Sequence, residues 1–345
     1  MRTVLRGAAL ATTLALAAGL APGSAGSTQD APRTVLDVRD LEQGAAPAIA
    51  WSERRAGRTV VHGAGGTTTP VPDGVTEIAP MGSGHVVQTA GERPTTTRWY
   101  AADGTPGRRA WRTGDGLAVS ARGGAVAFSG SRGRVWSIDE EGDRVLSFNP
   151  VPVTGKGRAV ALRGEDCKED GSSTGCTVYV NGVARGWYTS SHGIVDRPPH
   201  LRHVSTGRGP WLGGITSVSD TGSCSAMLRD WRVRWRTCDN RFSDVSPDNR
   251  HVLGLPAYGD GFGPTTLDLL ATRDGSVVRS FTADRGGRSA VYFDEVWEDR
   301  THVLVVTFQA GRWAVVRLGV DGSMEYAVAP RRAPDLAPPF QLQTR

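Results

Sequence analysis

Apolar residues recur in short runs with little helical spacing. The runs at 125–129, 134–139, 144–148, 177–181, 302–309 and 313–320 alternate or fill with Val, Leu, Ala, Phe and Trp. Each is bounded by Gly, Asp, Asn, Ser or Pro. Short strands at 8–12-residue spacing, punctuated by turn residues, predict an all-β fold.

The runs repeat in groups. An apolar or aromatic strand followed by a tight turn occurs at Asp103-Gly104, Gly142, Asn181-Gly182, Asp274-Gly275 and Asp321-Gly322. The Gly-to-Gly steps are 38, 40, 93 and 47 residues, so the step of 93 spans two units. The missing copy is the stretch between Cys224 and Cys238. Such turns supply the positive φ that a two-residue hairpin requires. A second strand–turn–strand feature precedes it in each unit, as at Val119 to Phe128, Val218 to Gly222, Val245 to Asn249 and Val296 to Arg300. Together they define a four-stranded antiparallel unit of about 40 to 47 residues, repeated seven times over 45–330. The prediction is a single seven-bladed β-propeller. Its blade edges are expected near residues 73, 113, 150, 196, 240 and 284. Segment 34–38 or 340–343 is expected to close the ring and remove its free edges.

Residues 242–254 carry Phe-Ser-Asp-Val-Ser-Pro-Asp-Asn-Arg-His-Val-Leu-Gly. This resembles the Ser-Pro-Asp-Gly motif of bacterial TolB-like and WD-repeat-like propellers, with Asn249 in place of the Gly. The motif is close once and degenerate in the other units. Gly84-His85 is present without the Trp-Asp pair of WD repeats. Ser205 to Trp211 has the spacing of a sialidase Asp box without its Asp. The resemblance implies a binding or scaffolding propeller in or outside the cell envelope. It carries over no catalytic residue.

Composition changes the picture mainly by address. The 345 residues include 45 Gly without a collagen period, and 39% are hydrophobic, too many for a disordered chain. Residues 1–25 read as a secretory signal peptide. Arg2 and Arg6 precede the uncharged run 8–20, and Gly23 and Ala25 occupy the −3 and −1 positions. That run is shorter than the roughly 20 residues a membrane span needs. The expected layout is a signal peptide at 1–25, a segment at 26–44, the propeller at 45–330 and a tail at 331–345. The 40 basic residues include only two Lys, Lys156 and Lys168, a skew that fits a GC-rich genome. They are interleaved with Asp and Glu, with no basic block to track phosphates. The expectation is a secreted or envelope-exposed monomer with no nucleic-acid partner and no membrane span.

In an exported chain, four Cys read as disulfides. Cys167 and Cys176 flank one turn-like stretch, and Cys224 and Cys238 flank another centred on Trp231. Each pair is therefore expected to bond across its own hairpin. No Cys-x-x-Cys spacing supports zinc.

No nucleophile elbow, phosphate loop or metalloprotease helix occurs. The acidic run 139–143 reads as a solvated turn and lacks calcium-loop spacing. Asp294 and Glu295 are strand neighbours, so they should face opposite ways. His192, Asp196, His200 and His203 fall within twelve residues. Their spacing would allow a metal, and solvated loop histidines are the simpler reading; no cofactor or metal is implied. The long stretches 164–175, 190–209 and 256–264 are assigned to the face carrying the 2–3 loops and inter-blade links. His192, Asp196, His200, Trp211 and Tyr258 are the expected contacts for a protein or carbohydrate ligand. The expected function is a secreted binding or scaffold module; the alternative is a propeller hydrolase or lyase acting on polysaccharide.

Overall fold

The computed structural model describes residues 31–55, 57–90, 95–139, 145–165, 167, 175–259, 263–283, 290–332 and 337–344. The proposed signal peptide and most of the acidic run 139–143 lie outside these residues. Among the described residues there is no helix, and the strands form seven sheets of four antiparallel strands, one of them extended by a fifth.

From the axis outward, blade 1 is Phe340–Leu342, Trp51–Arg55, Arg58–His62 and Thr68–Val71. Blade 2 is Val75–Met81, Gly84–Thr89, Thr96–Tyr100 and Pro106–Arg112. Blade 3 is Ala118–Val119, Ala125–Ser129, Val135–Asp139 and Val145–Phe148. Blade 4 is Arg158–Arg163, Thr177–Asn181, Gly186–Ser190 and Val195–Asp196. Blade 5 is His203–Arg208, Trp211–Ser219, Gly222–Arg229 and Arg232–Thr237. Blade 6 is Asn240–Val245, His251–Pro256, Thr266–Ala271 and Val277–Ala283. Blade 7 is Val291–Trp297, His302–Gln309, Arg312–Gly319 and Met324–Arg331. The innermost strand of each blade touches the next blade around the axis, closing a seven-bladed β-propeller. The blade edges expected from the repeat period fall in, or one residue beside, the gaps between these sheets.

The packing explains the sequence pattern. Seven hydrophobic clusters lie one between each pair of neighbouring blades. A central strand is covered on both sides, so it feeds alternate residues to two clusters. Val303 and Val305 pack towards blade 6, while Leu304 and Val306 pack towards blade 1. This is why 302–309 reads as one apolar run instead of a strict alternation. Each such buried Val or Leu contributes roughly 1.5–3 kcal/mol.

Segments near both ends of the described chain are built into the ring. Of the two segments expected to close it, Phe340–Leu342 does so, pairing antiparallel with Trp51 to Glu53 as the innermost strand of blade 1. The other, Arg33–Leu36, pairs parallel with blade 6 at its outer edge. The chain then crosses blade 7. Val38 N donates to Gln309 Oε1 at 2.7 Å, and Gly44 N donates to Tyr326 O at 2.9 Å. The buried Arg317 guanidinium donates to the carbonyls of Ala45 and Ala46, each at 3.1 Å, and pairs with Glu298 and Glu325.

The Ser-Pro-Asp-Asn turn shows why Asn249 can stand for Gly. Its φ is +62°, a left-handed conformation that Asn tolerates. Ser246 Oγ accepts from the amides of Arg250 and His251 at 3.1 and 2.9 Å, locking the turn. Both expected disulfides are present, Cys167–Cys176 and Cys224–Cys238.

Candidate functional site

The 1–2 and 3–4 connections of every blade emerge on one face, and the 2–3 loops and inter-blade links on the other. This separates residues that the sequence grouped together. Stretch 164–175 falls between the first two strands of blade 4; 166 and 168–174 lie outside the described residues, and the described ends, Gly164, Glu165 and Gly175, lie on the face opposite the one expected. Stretch 190–209 is not one loop. It contains a tight 3–4 turn, the edge strand Val195–Asp196, an inter-blade link and the strand His203–Arg208. His192 therefore sits on the 1–2/3–4 face, and His200 on the other. Of stretch 256–264, a 2–3 connection, residues 260–262 lie outside the described residues, and the described part lies on the face expected.

The five expected contacts do not converge. His200 lines a cavity of 500 Å³ with Arg185, Arg197 and Arg202, and Tyr258 lines a separate one of 440 Å³ with Arg241 and Asp220. Asp196 pairs with Tyr188 at the rim of blade 4. Trp211 is 5% exposed and packs with Met227, Phe242, Val245, Val252 and Leu270 between blades 5 and 6. It is a core residue, not a contact. Among the described residues, no group of three His, Cys, Asp or Glu is arranged to hold a metal.

The acidic pair behaves as strand alternation demands. Asp294 Oδ2 turns towards blade 1 and accepts from Leu342 N at 2.6 Å and from Gln341 Nε2 at 3.0 Å. Glu295 turns towards blade 6, near Arg241, Ser243 and Asp244. Burial pushes the Asp294 carboxyl well up from its usual range, and the nearby Glu295 and Glu77 charges add to this. Burial pushes Glu295 up to about 7, with Ser243 and Arg241 pulling back.

His192 lines a third cavity, of 450 Å³, on the 1–2/3–4 face over blades 3 to 6. Its wall includes Arg163, Glu165, Tyr179, Arg208 and Trp231, and its rim includes Cys176 of a disulfide. The His192 ring packs on Gly175, where a Cβ would lie 2.5 Å from Nε2. Trp231 comes from the turn that the sequence placed at the centre of the Cys224–Cys238 hairpin. Asp230 and Trp231 have φ of +49° and +66°, the geometry that Asn-Gly usually fills. A bulky residue held there costs about 1–3 kcal/mol. Trp231 nevertheless keeps 37% of its surface exposed. Its ring rests on Tyr188 and Tyr179 at 5.3 and 6.2 Å, with the Arg163 guanidinium 5.9 Å from its centroid.

Tyr179 is fully buried beneath this wall, and its hydroxyl has no hydrogen-bond partner of good geometry. Burial raises its pKa, and the adjacent Arg163 charge opposes the rise. Sequence reasoning missed Tyr179, Arg163 and Arg208 as site residues, since each is an ordinary strand residue. The one legible signal was a Trp at a hairpin position that calls for Gly.

No family model and no curated protein matches the sequence. Among solved structures, the chain is similar to the β-propeller domain of Cps50 (Swd1) from Myceliophteria thermophila. Identity is 9% and the TM-score 0.51, covering 77% of this chain and 89% of that one. It is also similar to a functionally unknown protein from Desulfotomaculum acetoxidans, at 11% identity and a TM-score of 0.51, covering 83% and 100%. These likenesses establish the propeller fold. TolB from Acinetobacter baumannii aligns less well, at 11% identity and a TM-score of 0.44, over 82% of this chain and 63% of that one.

Proposed function

We propose that the protein is an exported, monomeric binding module that docks its ligand on the 1–2/3–4 face, over the cavity walled by Trp231. Export follows from the signal-like segment 1–25, and two disulfides are compatible with an oxidising compartment. Among the described residues, no helix is long and apolar enough to cross a membrane. The observation that carries the reading is Trp231 itself. An aromatic ring is held exposed, in a strained backbone conformation, at the tip of a disulfide-stapled hairpin. Strain that persists beside a cavity is the usual mark of a working surface. The module binds without a chemical step of its own.

The test immobilises the native sequence, Trp231→Gly and Tyr258→Ala, and exposes each to extracellular glycans and secreted proteins. Capture should disappear with Trp231→Gly and survive Tyr258→Ala, which alters the other face. The reverse order would move the site to the 2–3 face. Loss in neither would remove both faces.

A further inference from the structure

The charge arrangement inside the Trp231 cavity narrows its ligand. Its carboxylates are already engaged: Glu165 Oε2 accepts from Arg122 N, and Asp244 Oδ2 from Trp297 N, both at 3.0 Å. Its guanidiniums make no ion pair with these carboxylates among the described residues. Arg163 lies over the Trp231 ring, and Arg208 Nη2 donates to the Ala121 carbonyl at 3.1 Å. Among the described residues, neither has a carboxylate partner. His192 adds an imidazole on the same wall. Behind Arg163 lies the buried Tyr179 hydroxyl, adjacent to the guanidinium.

Two features therefore line one volume: a partly exposed indole and a pair of guanidiniums without a carboxylate partner among the described residues. A guanidinium fork matches a carboxylate or sulfate in bidentate geometry. An indole face suits a rigid ring whose C–H groups form an apolar surface, as in a pyranose. A cavity of 450 Å³ is in the size range of small-ligand sites. Resting on the reading of this face as the docking surface, we infer that the cavity binds an acidic sugar of an extracellular polysaccharide. The sugar ring packs against the exposed part of Trp231, and its carboxylate or sulfate is held by Arg163 and Arg208. A flexible acidic peptide would satisfy the arginines but offers no flat face to the indole.

The experiment titrates the full mature chain with three oligosaccharides, followed by Trp fluorescence and calorimetry. The probes are oligogalacturonate, a sulfated galactan oligomer and a neutral galactan oligomer. One or both acidic probes should bind at least tenfold more tightly than the neutral one, and which of them binds identifies the acid group. Arg163→Gln and Arg208→Gln should each weaken acidic binding at least tenfold, with the thermal midpoint checked to confirm folding. Trp231→Gly should weaken all binding. Equal affinity for neutral and acidic probes would overturn the inference, as would arginine variants that fold and bind normally. Binding of none of the probes would also overturn it. The docking face itself would still stand if capture from the secreted mixture remained sensitive to Trp231→Gly.

Discussion

The backbone amide of Leu342 donates to the Asp294 carboxyl at 2.6 Å, across the seam where blade 7 meets the closing strand. On the other side of that strand, Thr344 N donates to Ile78 O at 2.7 Å, and the Thr344 hydroxyl bonds Glu77. Two partly sheltered carboxyls thus clasp the C-terminal strand between blades 7 and 2. Asp294→Ala should cost about 1–3 kcal/mol, since it leaves the Leu342 amide without a partner. Asp294→Asn keeps an acceptor and mimics the protonated acid that burial favours, so it should stay within about 1 kcal/mol of the native chain. Urea unfolding compares them; equal losses would show that charge, not the hydrogen bond, holds the strand.

Glu295 makes stability depend on pH. Burial raises its folded pKa to about 7, above its usual 4.5, so the native state binds the proton more tightly than the unfolded chain. Its contribution is therefore most favourable below pH 4.5 and is lost as pH rises through 7, by up to roughly 3 kcal/mol. Asp294 and Glu77, also raised, act in the same direction. His62, His85 and His251 have lowered pKa values and act oppositely below about pH 6.5. The readout is therefore a difference. The stability of Glu295→Gln relative to the native chain should climb from pH 4.5 to 7 and then level off. Parallel curves would refute the assignment.

Trp231→Gly should cost function and little stability. Gly relieves about 1–3 kcal/mol of backbone strain, while each of the two lost ring pairs costs about 0.5–1.5 kcal/mol. The thermal midpoint should hold as ligand capture is lost. A loss above roughly 2 kcal/mol would mean that the ring serves packing.

The Cys224–Cys238 bridge closes a separation of 14 residues in the hairpin that carries Trp231. Replacing both with Ser should cost about 3 kcal/mol in the chain-entropy picture. Non-reducing peptide mapping should recover 167 with 176 and 224 with 238. A peptide joining Cys176 to Cys224 would contradict the fold of both hairpins.

Most of the ring was legible because its period is enforced physically: each blade must bury two faces, and turns such as Asp274-Gly275 recur where φ must be positive. The faces were harder. Val195–Asp196 is a two-residue edge strand, too short to show alternation, and His203–Arg208 is mostly polar. Both passed for loop, so His192 and His200 seemed neighbours when a sheet separates them. Trp211 and Trp231 differ in sequence only by the turn that the flanking cysteines centre on Trp231. Only the turn at Asp230, which no hydrophobic pattern reveals, lifts one of them into solvent.

Blade 1 takes its innermost strand from the far end of the chain, with Ala50 and Gln343 bonded across 293 positions. A chain synthesised in N-to-C order can therefore pair six blades and still be unable to shut. Until residues 340–342 arrive, Trp51 to Glu53 offer a bare edge to any strand nearby. Length itself becomes a checkpoint. A stop codon ten residues early leaves an open, adhesive ring, so premature termination near the end should be as damaging as termination in the middle.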